Sequence, residues 1–441
     1  MSVPLLTIDT PDVLPAEADC VVIGAGIVGV CAAYWLARAG QRVVLLEKGR
    51  VGAEQSSRNW GWCRQQNRDA RELPLSTASL SLWEDIAADI GDDLGFSRCG
   101  LLYLSNDDKE LDTWAAWGKF ARGEGVVTHM LDAAGATERG AATGKAWKGG
   151  VWSPTDGIAD PSRAAPAIAR GVLKHGGMVV QGCAARGVET QAGAVCGVIT
   201  ERGVIKTRQV VLSGGAWAAS FLHQLGIDFP QAAIRSSILS VAPGANGLPA
   251  ALHTAGASVT RRGDGGYTLA ISGFGKVDPT PGMLWGAKHF VPMFAKRWRA
   301  LSPGGLQAWR AGFETRAGWA MEKPPPMEAV RILDPKPSRK TLDDTLAAAR
   351  ELLPQLRGVP VQAEWAGYID STPDGVPVID GDIGVGGLLL AAGLSGHGFG
   401  IGPGVGHLIA DMLLGREPIA ATAQYRLSRF GKSQWGKVSE F

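Results

Sequence analysis

The sequence has no apolar run long enough to cross a membrane, since a spanning helix needs about 20 such residues. Its N-terminal stretch, MSVPLLTIDTPDVLPAEAD, carries acids and prolines and lacks the basic start and apolar centre of a secretory signal. We therefore expect a cytoplasmic protein. Any membrane association is expected to be peripheral at most, at the inner membrane.

The sequence also lacks any block of like charge. Its 44 lysines and arginines almost balance its 42 aspartates and glutamates, which leaves a formal net charge of +2. Surfaces that bind nucleic acid usually carry clustered positive charge. The balance argues against a nucleic-acid partner and leaves open whether the chain forms an oligomer.

The cysteines form no C-x-x-C pair, and several lie within apolar strand or helix patterns. The six are Cys20, Cys31, Cys63, Cys99, Cys183 and Cys196. We expect free thiols, mostly buried, in a reducing compartment. No residue spacing is typical of a metal site, and no serine or cysteine arrangement is typical of a nucleophile. We therefore predict no metal.

The stretch from residue 19 to residue 49 carries a strong pattern of apolar and glycine residues. An apolar run at 21–23 suits a strand buried on both faces. A G-x-G-x-x-G follows at 24–29, and then a helical pattern at 30–39. A second apolar strand at 42–46 leads into Glu47. This order predicts a strand, turn, helix and strand.

Each part of this stretch has a physical task in binding a dinucleotide. Gly24 allows the tight turn, Gly26 lets a pyrophosphate approach the backbone, and Gly29 lets the helix pack on the strand. The helix N-terminus offers free N–H groups to the phosphates. Glu47 can accept hydrogen bonds from ribose hydroxyls and would repel a 2′-phosphate. The alternative is a glycine-rich turn in another kind of α/β unit.

A second glycine-rich turn lies near the opposite end of the chain. A buried strand is expected at 388–392, the turn GLSGHGFG follows at 393–400, and a helix is expected at 403–414. Glycine turns at both ends of the chain indicate one large cofactor held at two places, and a flavin nucleotide fits. A nicotinamide cofactor is the weaker alternative because it needs no second glycine turn so far away.

The middle of the chain has a different pattern, with short strands and helices rich in tryptophan and arginine. We expect strands at 234–241 and 267–271 and helices at 293–301 and 341–353. Earlier, Pro161 is expected to open a helix at 162–175. At 441 residues the chain exceeds one ordinary domain, so this region is expected to form a second domain with an antiparallel sheet.

Four stretches together resemble the amine and amino-acid oxidoreductase superfamily, which includes D-amino acid oxidase, D-amino acid dehydrogenase, glycine oxidase and monomeric sarcosine oxidase. They are VVIGAGIVGVCAAYWLARAG with LLEKG, VVLSGGAWAASFLHQLG, WAGYIDSTPDGVPVID and LLLAAGLSGHGFGIGPGVGHLIADMLLG. The stretch AEQSSRNWGW is similar to the bacterial L-amino acid deaminase branch.

The resemblance implies an α/β fold with a Rossmann-like FAD-binding domain and a smaller α+β substrate domain built on an antiparallel sheet. The FAD-binding domain is expected at 15–95, 150–232 and 362–420, and the substrate domain at 96–149 and 233–361. The residues implied to contact FAD are Gly24, Ala25, Gly26, Ile27, Val28, Gly29, Glu47, Lys48, Gln55, Ser56, Ser57, Asn59, Trp60, Gly61, Ala185, Gly214, Trp217, Gly393, Ser395, Gly396, His397, Gly398 and Phe399.

Three departures from the superfamily pattern affect the expected chemistry. Ile369 stands where many relatives have an arginine that binds the substrate carboxylate. No flavin-linking cysteine is present near this point, so we expect non-covalent FAD. The strand around Thr268 lacks the lysine that helps oxygen react in the sarcosine oxidase branch. This favours a dehydrogenase over an oxidase, with a quinone, a redox protein or O2 as electron acceptor.

The implied reaction is hydride transfer from Cα–H of an amino acid or secondary amine to flavin N5, followed by hydrolysis of the imine. Arg64 is the first candidate to bind the substrate carboxylate and Arg316 the second, with a structural ion pair as the alternative for Arg64. Trp60 and Trp62 are expected to form an apolar wall or to fill core. His397 is expected to contact flavin or an active-site water, with a structural hydrogen bond as the alternative.

A different class of function also remains open. The chain could be the flavoprotein subunit of a multi-component amino-acid dehydrogenase, active only through a partner that accepts its electrons.

Overall fold

A computed structural model describes residues 3–431. The strands are β1 (Cys20–Ile23), β2 (Val43–Leu46), β3 (Trp62–Cys63), β4 (Leu101–Ser105), β5 (His129–Leu131), β6 (Gly149–Ser153), β7 (Gly157–Ile158), β8 (Met178–Val180), β9 (Ala185–Gln191), β10 (Ala194–Thr200), β11 (Gly203–Lys206), β12 (Val210–Leu212), β13 (Ala232–Val241), β14 (Ala251–His253), β15 (Ser258–Arg261), β16 (Tyr267–Ala270), β17 (Gly275–Val277), β18 (Leu301–Pro303), β19 (Val361–Ser371), β20 (Val378–Asp380) and β21 (Leu388–Ala392).

The helices are α1 (Ile27–Arg38), α2 (Leu73–Ile90), α3 (Asp108–Gly123), α4 (Ala133–Arg139), α5 (Ala164–Lys174), α6 (Ala218–His223), α7 (Pro281–Arg297), α8 (Gln307–Arg310), α9 (Pro326–Ala329), α10 (Arg339–Leu352) and α11 (Gly398–Leu414).

The first sheet has the strand order β20-β21-β12-β1-β2-β8, and only its β20–β21 pair is antiparallel. Every residue of β1, β2, β12 and β21 is buried, as expected for a parallel sheet covered on both faces. This confirms the predicted α/β class. Strands from the two ends of the chain are separated only by β12.

Helices α1 and α11 pack against each other on one face of this sheet. A Cβ on Gly402 would lie 2.7 Å from the Ile27 Cγ1, and a Cβ on Gly406 would lie 2.5 Å from the Cys31 Cβ. Real side chains do not approach so closely, so glycine at these two positions permits the contact. The glycine-rich starts of the two helices are therefore held side by side.

The second sheet is built around β13, which pairs antiparallel with β16, β17 and β19. It is mixed rather than purely antiparallel, because β4 pairs in parallel with β14 and β17 with β18. Successive side chains of β13 point to opposite faces. Leu239 packs in a cluster with Leu342 of α10, whereas Ile238 packs in a cluster that Trp60 contacts. One face is thus covered by α10, and the other faces the 52–64 loop.

The division into two domains stays a prediction, but sheet membership adds detail. Strand β6 lies beyond the expected boundary at 150, and β19 beyond the one at 362, yet both belong to the second sheet. A three-stranded sheet, β11-β10-β9, and the short β3–β7 pair complete the strands that the structure describes.

Two expected helices begin at other residues than predicted. The helix expected at 293–301 begins at Pro281, where Thr280 caps it by accepting a hydrogen bond from the Met283 N–H. Pro292 lies inside this helix. Because proline usually ends a helix, the sequence pattern indicated a helix only after it. The helix expected at 162–175 instead begins later, at Ala164, because residues 161–163 form a turn.

The helix expected at 403–414 also begins early, at Gly398, with Pro403 in its interior. Side chains from α2 hydrogen-bond with the backbone on either side of this proline. Trp83 Nε1 donates to the Gly400 carbonyl at 3.0 Å, and the Gly404 N–H donates to Ser79 Oγ at 2.9 Å. These partners let the helix continue through a residue that cannot donate its own hydrogen bond.

Within residues 3–431, no helix combines the length and the apolar character needed to cross a membrane. The described cysteines are all free thiols.

The α1–α11 contact gives a first prediction. Gly406→Ala would place a methyl group against Cys31, so we expect it to lower the free energy of unfolding by about 1–3 kcal/mol. Gly123→Ala is the matched control, since no atom lies within 4 Å of the added Cβ at the end of α3. The control is expected to change stability by at most about 1 kcal/mol, in the stabilising direction. Equal effects of the two substitutions on urea unfolding would contradict the tight contact.

Candidate active site

The first glycine turn lies where β1 ends and α1 begins. Gly24 has a φ of +98°, and a Cβ there would lie 2.5 Å from the Ser213 carbonyl oxygen. Ser56 covers the turn by accepting a hydrogen bond from the Ile27 N–H at 2.8 Å. The turn therefore presents backbone and one hydroxyl, which are groups that bind phosphate well.

Glu47 lies at the end of β2, beside this turn. Its Oε2 accepts from the Ala25 N–H at 2.9 Å, and its Oε1 accepts from the Gly49 N–H at 2.8 Å. Burial raises the pKa of Glu47, against the opposing charge of Lys48. The two backbone bonds orient the carboxylate and leave further lone pairs for the hydroxyls of a ligand.

A cleft opens between these elements. Its lining includes nine residues predicted from the sequence, namely Gly24, Gly26, Glu47, Lys48, Gln55, Ser56, Ala185, Gly214 and Trp217. Met327 and Leu333 also line it, beside Trp217. The cleft thus offers a polar turn at one place and apolar walls at another.

Lys48 connects the cleft with the neighbouring loop. Its Nζ donates to the Val330 carbonyl at 2.9 Å and to the Arg331 carbonyl at 3.0 Å, and it forms an ion pair with Glu54. The ammonium also lies 5.0 Å from the ring centroid of Trp217. Most of its hydrogen-bonding capacity is therefore used within the protein, and a direct contact with ribose stays a prediction.

The remaining predicted residues of the first turn and the following loop mainly support the backbone. Gly29 faces the Gly24 carbonyl so closely that an added Cβ would lie 1.9 Å from that oxygen. Asn59 Nδ2 donates to the Ser56 carbonyl at 2.8 Å, and its Oδ1 accepts from the Gly61 N–H at 2.7 Å. Four further predicted residues are buried, namely Ala25, Ile27, Val28 and Ser57. Trp60 packs against the second sheet.

The second glycine turn is held by Asp370, which also lines the cleft. The Asp370 carboxylate accepts from the Gly393 N–H at 2.7 Å and from the Leu394 N–H at 3.3 Å. The Asp370 carbonyl accepts from the Ser395 N–H at 2.7 Å. Burial raises the pKa of Asp370 to about 6, against the stabilising effect of those N–H groups. One side chain therefore joins the cleft to the second turn.

His397 lies at the start of α11, in a cluster of charged groups. Its Nδ1 is 2.8 Å from Oε2 of the fully buried Glu72. Burial and the nearby charge of Arg68 lower the pKa of His397 to about 4, although Glu72 opposes them. The neutral ring donates from Nδ1 to Glu72, which is the structural hydrogen bond named as the alternative. A contact of His397 with flavin stays a prediction.

Arg64 lies beside an aromatic group formed by Trp62, Tyr103 and His253. Trp62 and His253 have ring centroids 6.0 Å apart, and Tyr103 and His253 5.1 Å apart. Burial and, to a smaller extent, the charge of the nearby Arg64 lower the pKa of His253 to about 4. Arg64 Nη1 donates to the Gln66 carbonyl. Among residues 3–431, no carboxylate forms an ion pair with Arg64.

Arg316 lies elsewhere, and neither Arg316 nor Arg64 is among the residues that line the cleft. Its Nη2 pairs with Asp228 at 3.2 Å, and its guanidinium stacks 3.8 Å from the ring centroid of Trp285. An arginine used in this way has little capacity left for a substrate carboxylate. The structure thus does not bring Arg316 together with Arg64.

Four residues at the candidate site were not predicted from the sequence, namely Glu72, Tyr103, His253 and Asp370. They come from α2, β4, β14 and β19 or their ends, and no local motif marks them. Asp370 had one available signal, because it ends the WAGYID stretch as an acid within an apolar strand. The described part of the chain contains no group of His, Cys, Asp or Glu arranged to hold a metal ion.

Comparisons with known proteins agree with this geometry. The profile of the family described as "FAD dependent oxidoreductase" matches residues 19–412. Glycine oxidase of Pseudomonas putida is 26% identical over 420 residues, which cover 92% of this chain and 97% of that protein. Sarcosine oxidase subunit beta of Rhizobium meliloti is 25% identical, covering 95% and 90%. The structure of L-amino acid deaminase from Proteus myxofaciens in complex with anthranilate matches with a TM-score of 0.92 at 26% identity, covering 97% of both chains.

The second prediction concerns pH and Asp370. Its pKa is raised from 3.8 to about 6, so its stabilising contribution is complete below pH 4 and is lost as the pH rises through 6. Asp370→Asn cannot ionise. Relative to the wild type, we expect this variant to gain about 3 kcal/mol in free energy of unfolding between pH 4 and pH 7.

Urea unfolding at several pH values measures this difference. Asp382→Asn, at an exposed position after β20, is the matched control, and its difference from the wild type should not follow this course. A difference for Asp370→Asn that is flat with pH would show that the buried carboxyl is not destabilised by ionisation.

Proposed function

Because the chain belongs to the FAD dependent oxidoreductase family, we propose that it oxidises an α-amino acid or N-substituted amino acid whose carboxylate pairs with Arg64. The family resemblance, the fold and the FAD dependence predicted from the sequence are confirmed. The protein is an oxidoreductase acting on CH–NH groups. The substrate, the residue roles and the acceptor below are proposals.

The lining of the cleft suits FAD in its chemistry. The 24–29 turn and Ser56 would hold the pyrophosphate, and Glu47 the adenosine ribose. Backbone near Ala185 and the apolar walls at Trp217 and Met327 would enclose the adenine. The 393–399 turn would contact the flavin ring. When bound, the flavin supplies the acceptor for a hydride at N5.

The observation that carries the proposal is the state of Arg64. It is partly buried and has no ion-pair partner among the described residues, and the same holds for the buried Arg68 nearby, whereas the buried Arg58 and Arg235 are each ion-paired. A partly buried guanidinium without a counter-ion is costly unless a ligand supplies one. Guanidinium binds carboxylate through two parallel hydrogen bonds. A substrate carboxylate therefore fits this position.

The aromatic group around Arg64 would receive the remainder of the substrate. Trp60 and Trp62 meet edge to face, with centroids 5.3 Å apart. Trp62 Nε1 donates to Thr260 Oγ1 at 2.6 Å, which fixes the ring. Trp60, Trp62, Tyr103 and neutral His253 form a rigid, largely apolar surface that would suit an aliphatic or aromatic side chain.

The charges of the site also favour the reactive form of the substrate. Hydride loss from Cα requires a neutral amine. Arg64 and the buried Arg68 both carry positive charge near this position, and cations disfavour a neighbouring ammonium. The same arginines would thus hold the carboxylate and lower the pKa of the amine.

The third prediction tests Arg64 directly. Arg64→Ala should reduce kcat/KM for an amino-acid substrate by about 100-fold or more, which corresponds to about 3 kcal/mol of lost binding in the transition state. The matching amine without a carboxylate should lose much less, by about tenfold at most, because only the effect of Arg64 on the pKa of the amine is then removed. Steady-state kinetics on both compounds measures this difference.

Arg316→Ala is the matched control because its arginine pairs with Asp228 outside the cleft. It should leave both rates within about threefold of the wild type. A large loss with Arg316→Ala and none with Arg64→Ala would exchange the two assignments. A loss with Arg64→Ala that is equal for both compounds would remove the carboxylate contact.

The fourth prediction concerns the acceptor. No lysine occurs in β16, the strand where the sarcosine oxidase branch is expected to carry one, so we infer a dehydrogenase. Anaerobic mixing with a panel of D- and L-amino acids, N-methyl amino acids and cyclic imino acids should bleach the flavin absorbance rapidly with one class. Re-oxidation by air should then be at least about tenfold slower than re-oxidation by a quinone analogue. Rapid re-oxidation by air would identify an oxidase instead.

A second candidate function is that of a flavoprotein subunit within a larger complex. It is supported by the similarity to sarcosine oxidase subunit beta, a protein named as one subunit of an assembly. Purification from its native host under mild conditions distinguishes the two. Co-elution of a redox partner, with substrate oxidation only in its presence, would favour the subunit.

A further inference from the structure

The segment from residue 274 to residue 309 carries most of the exposed large apolar side chains that the structure describes. Seven of the twelve lie there, including every exposed phenylalanine and tryptophan. They are Phe274, Leu284, Val291, Phe294, Trp298, Leu306 and Trp309, each 47–56% exposed. We call these seven residues the apolar patch. Single exposed apolar residues are ordinary, but a concentration of them marks an interaction surface.

Helix α7 forms the centre of the apolar patch. Of its 17 residues only Gly286 is buried, so the helix lies on the surface with little of it in the core. Leu284, Val291 and Phe294 recur at intervals of seven and three, and Trp298 follows four residues later. These intervals place Leu284, Val291 and Phe294 on one side of the helix, and Trp298 directly follows its last residue. An apolar stripe on the solvent side is unusual for a helix that is not covered by a partner.

The segment that carries the apolar patch is fixed to the second sheet by strand pairing. Strand β17 pairs with β18 and with β13, which fixes both ends of the α7 connection to the second sheet. Phe274 directly precedes β17, and Trp298 lies three residues before β18. The Gly305 N–H donates to the Asp278 carboxylate at 2.8 Å, which fixes the loop that leads to Trp309.

The charged side chains of residues 279–313 are all basic, and Asp278, directly before them, is buried in an ion pair with Arg235. Residues 279–313 contain Lys288, Lys296, Arg297, Arg299 and Arg310 and no aspartate or glutamate. With 42 acids in 441 residues, a segment of this length would on average hold about three. The guanidinium of Arg299 lies 5.3 Å from the ring centroid of Trp298, so cation and aromatic group stand side by side.

Apolar side chains with tryptophan, bordered by exposed arginines, suit the surface of an anionic bilayer, and the exposed carboxylate beside α7, Asp228, is paired with Arg316. Rings and aliphatic groups enter the headgroup boundary while the cations remain among lipid phosphates. Each such cation near an anionic surface contributes about 1 kcal/mol. A second copy of the chain fits less well, because a symmetric contact through α7 would place the cations of both copies together.

We infer that residues 274–309 dock this protein peripherally on an anionic phospholipid bilayer, with Phe294 and Trp298 inserted and the neighbouring arginines on the lipid phosphates.

The test uses the FAD-loaded full-length chain and sedimentation with vesicles. Vesicles of phosphatidylcholine with about 30% phosphatidylglycerol should bind about tenfold more protein than phosphatidylcholine alone, and raising NaCl from about 0.1 to 0.5 M should release it. The double variant Phe294→Ser, Trp298→Ser and the double variant Arg297→Glu, Arg299→Glu should each lower binding at least about tenfold. Both should keep their flavin absorbance and their activity with a soluble acceptor.

Matched controls carry the same changes elsewhere on the surface. Met130→Ser with Val204→Ser removes two other exposed apolar side chains, and Arg208→Glu with Arg357→Glu reverses two other exposed charges. Both should bind vesicles as the wild type does. Absence of binding to anionic vesicles, or equal binding by patch and control variants, would overturn the inference. Sedimentation velocity showing a dimer that the Phe294→Ser, Trp298→Ser variant dissociates, without vesicle binding, would assign the patch to a second copy.

Discussion

The close packing of α1 against α11 is the contact on which the rest of the site depends. The two helices come from opposite ends of the chain, and each begins with a glycine-rich turn. Because Gly402 and Gly406 carry no side chain, the helix backbones approach within contact distance of Ile27 and Cys31. Larger side chains at these two positions would push the helices apart and so separate the two turns. A cofactor as long as FAD can then be held at two places by parts of one rigid layer.

The sheet below these helices imposes the same arrangement. Strands β1 and β21 both pair in parallel with β12, so their C-terminal ends lie on one edge. Open α/β sheets bind ligands at this edge, where helix N-termini and loops meet. Asp370 reaches the same edge from the second sheet and orients the 393–395 backbone. The cleft is thus lined by residues from both sheets.

Much of this could be predicted from the sequence because local patterns report local structure. Fully buried parallel strands appear as apolar runs, and a glycine turn followed by a helix and an acid at Glu47 identifies the nucleotide site. Arg64 was proposed from its spacing after Ser57 and Gly61, and its role stays a prediction. The starts of the proline-containing helices α7 and α11 were predicted too late in the sequence. In α11, the side chains that compensate for the proline come from α2, which is distant in sequence.

The residues that were not predicted make their contacts with residues distant in the sequence. Tyr103 and His253 come together through the pairing of β4 with β14, and Glu72 meets His397 where the start of α2 lies against the start of α11. Each alone resembles an ordinary strand or helix residue. Arg316 shows the reverse case, since its sequence context suited a substrate contact but Asp228 and Trp285 occupy it. Pairing partners distant in sequence therefore decide which charged residue is available to a ligand.

One buried ion pair connects the apolar patch with the cofactor cleft. Asp278, directly after β17, accepts from Arg235 Nε at 2.8 Å and from Arg235 Nη2 at 3.0 Å, and both side chains are at least nine-tenths buried. The Tyr368 hydroxyl also donates to Asp278, and Tyr368 lines the cleft. Breaking a buried pair of this kind costs about 3–5 kcal/mol, because one charge is left without a partner. The surface segment is therefore held in a fixed position relative to the cofactor site, so a surface that docks on α7 would meet the cleft in one orientation.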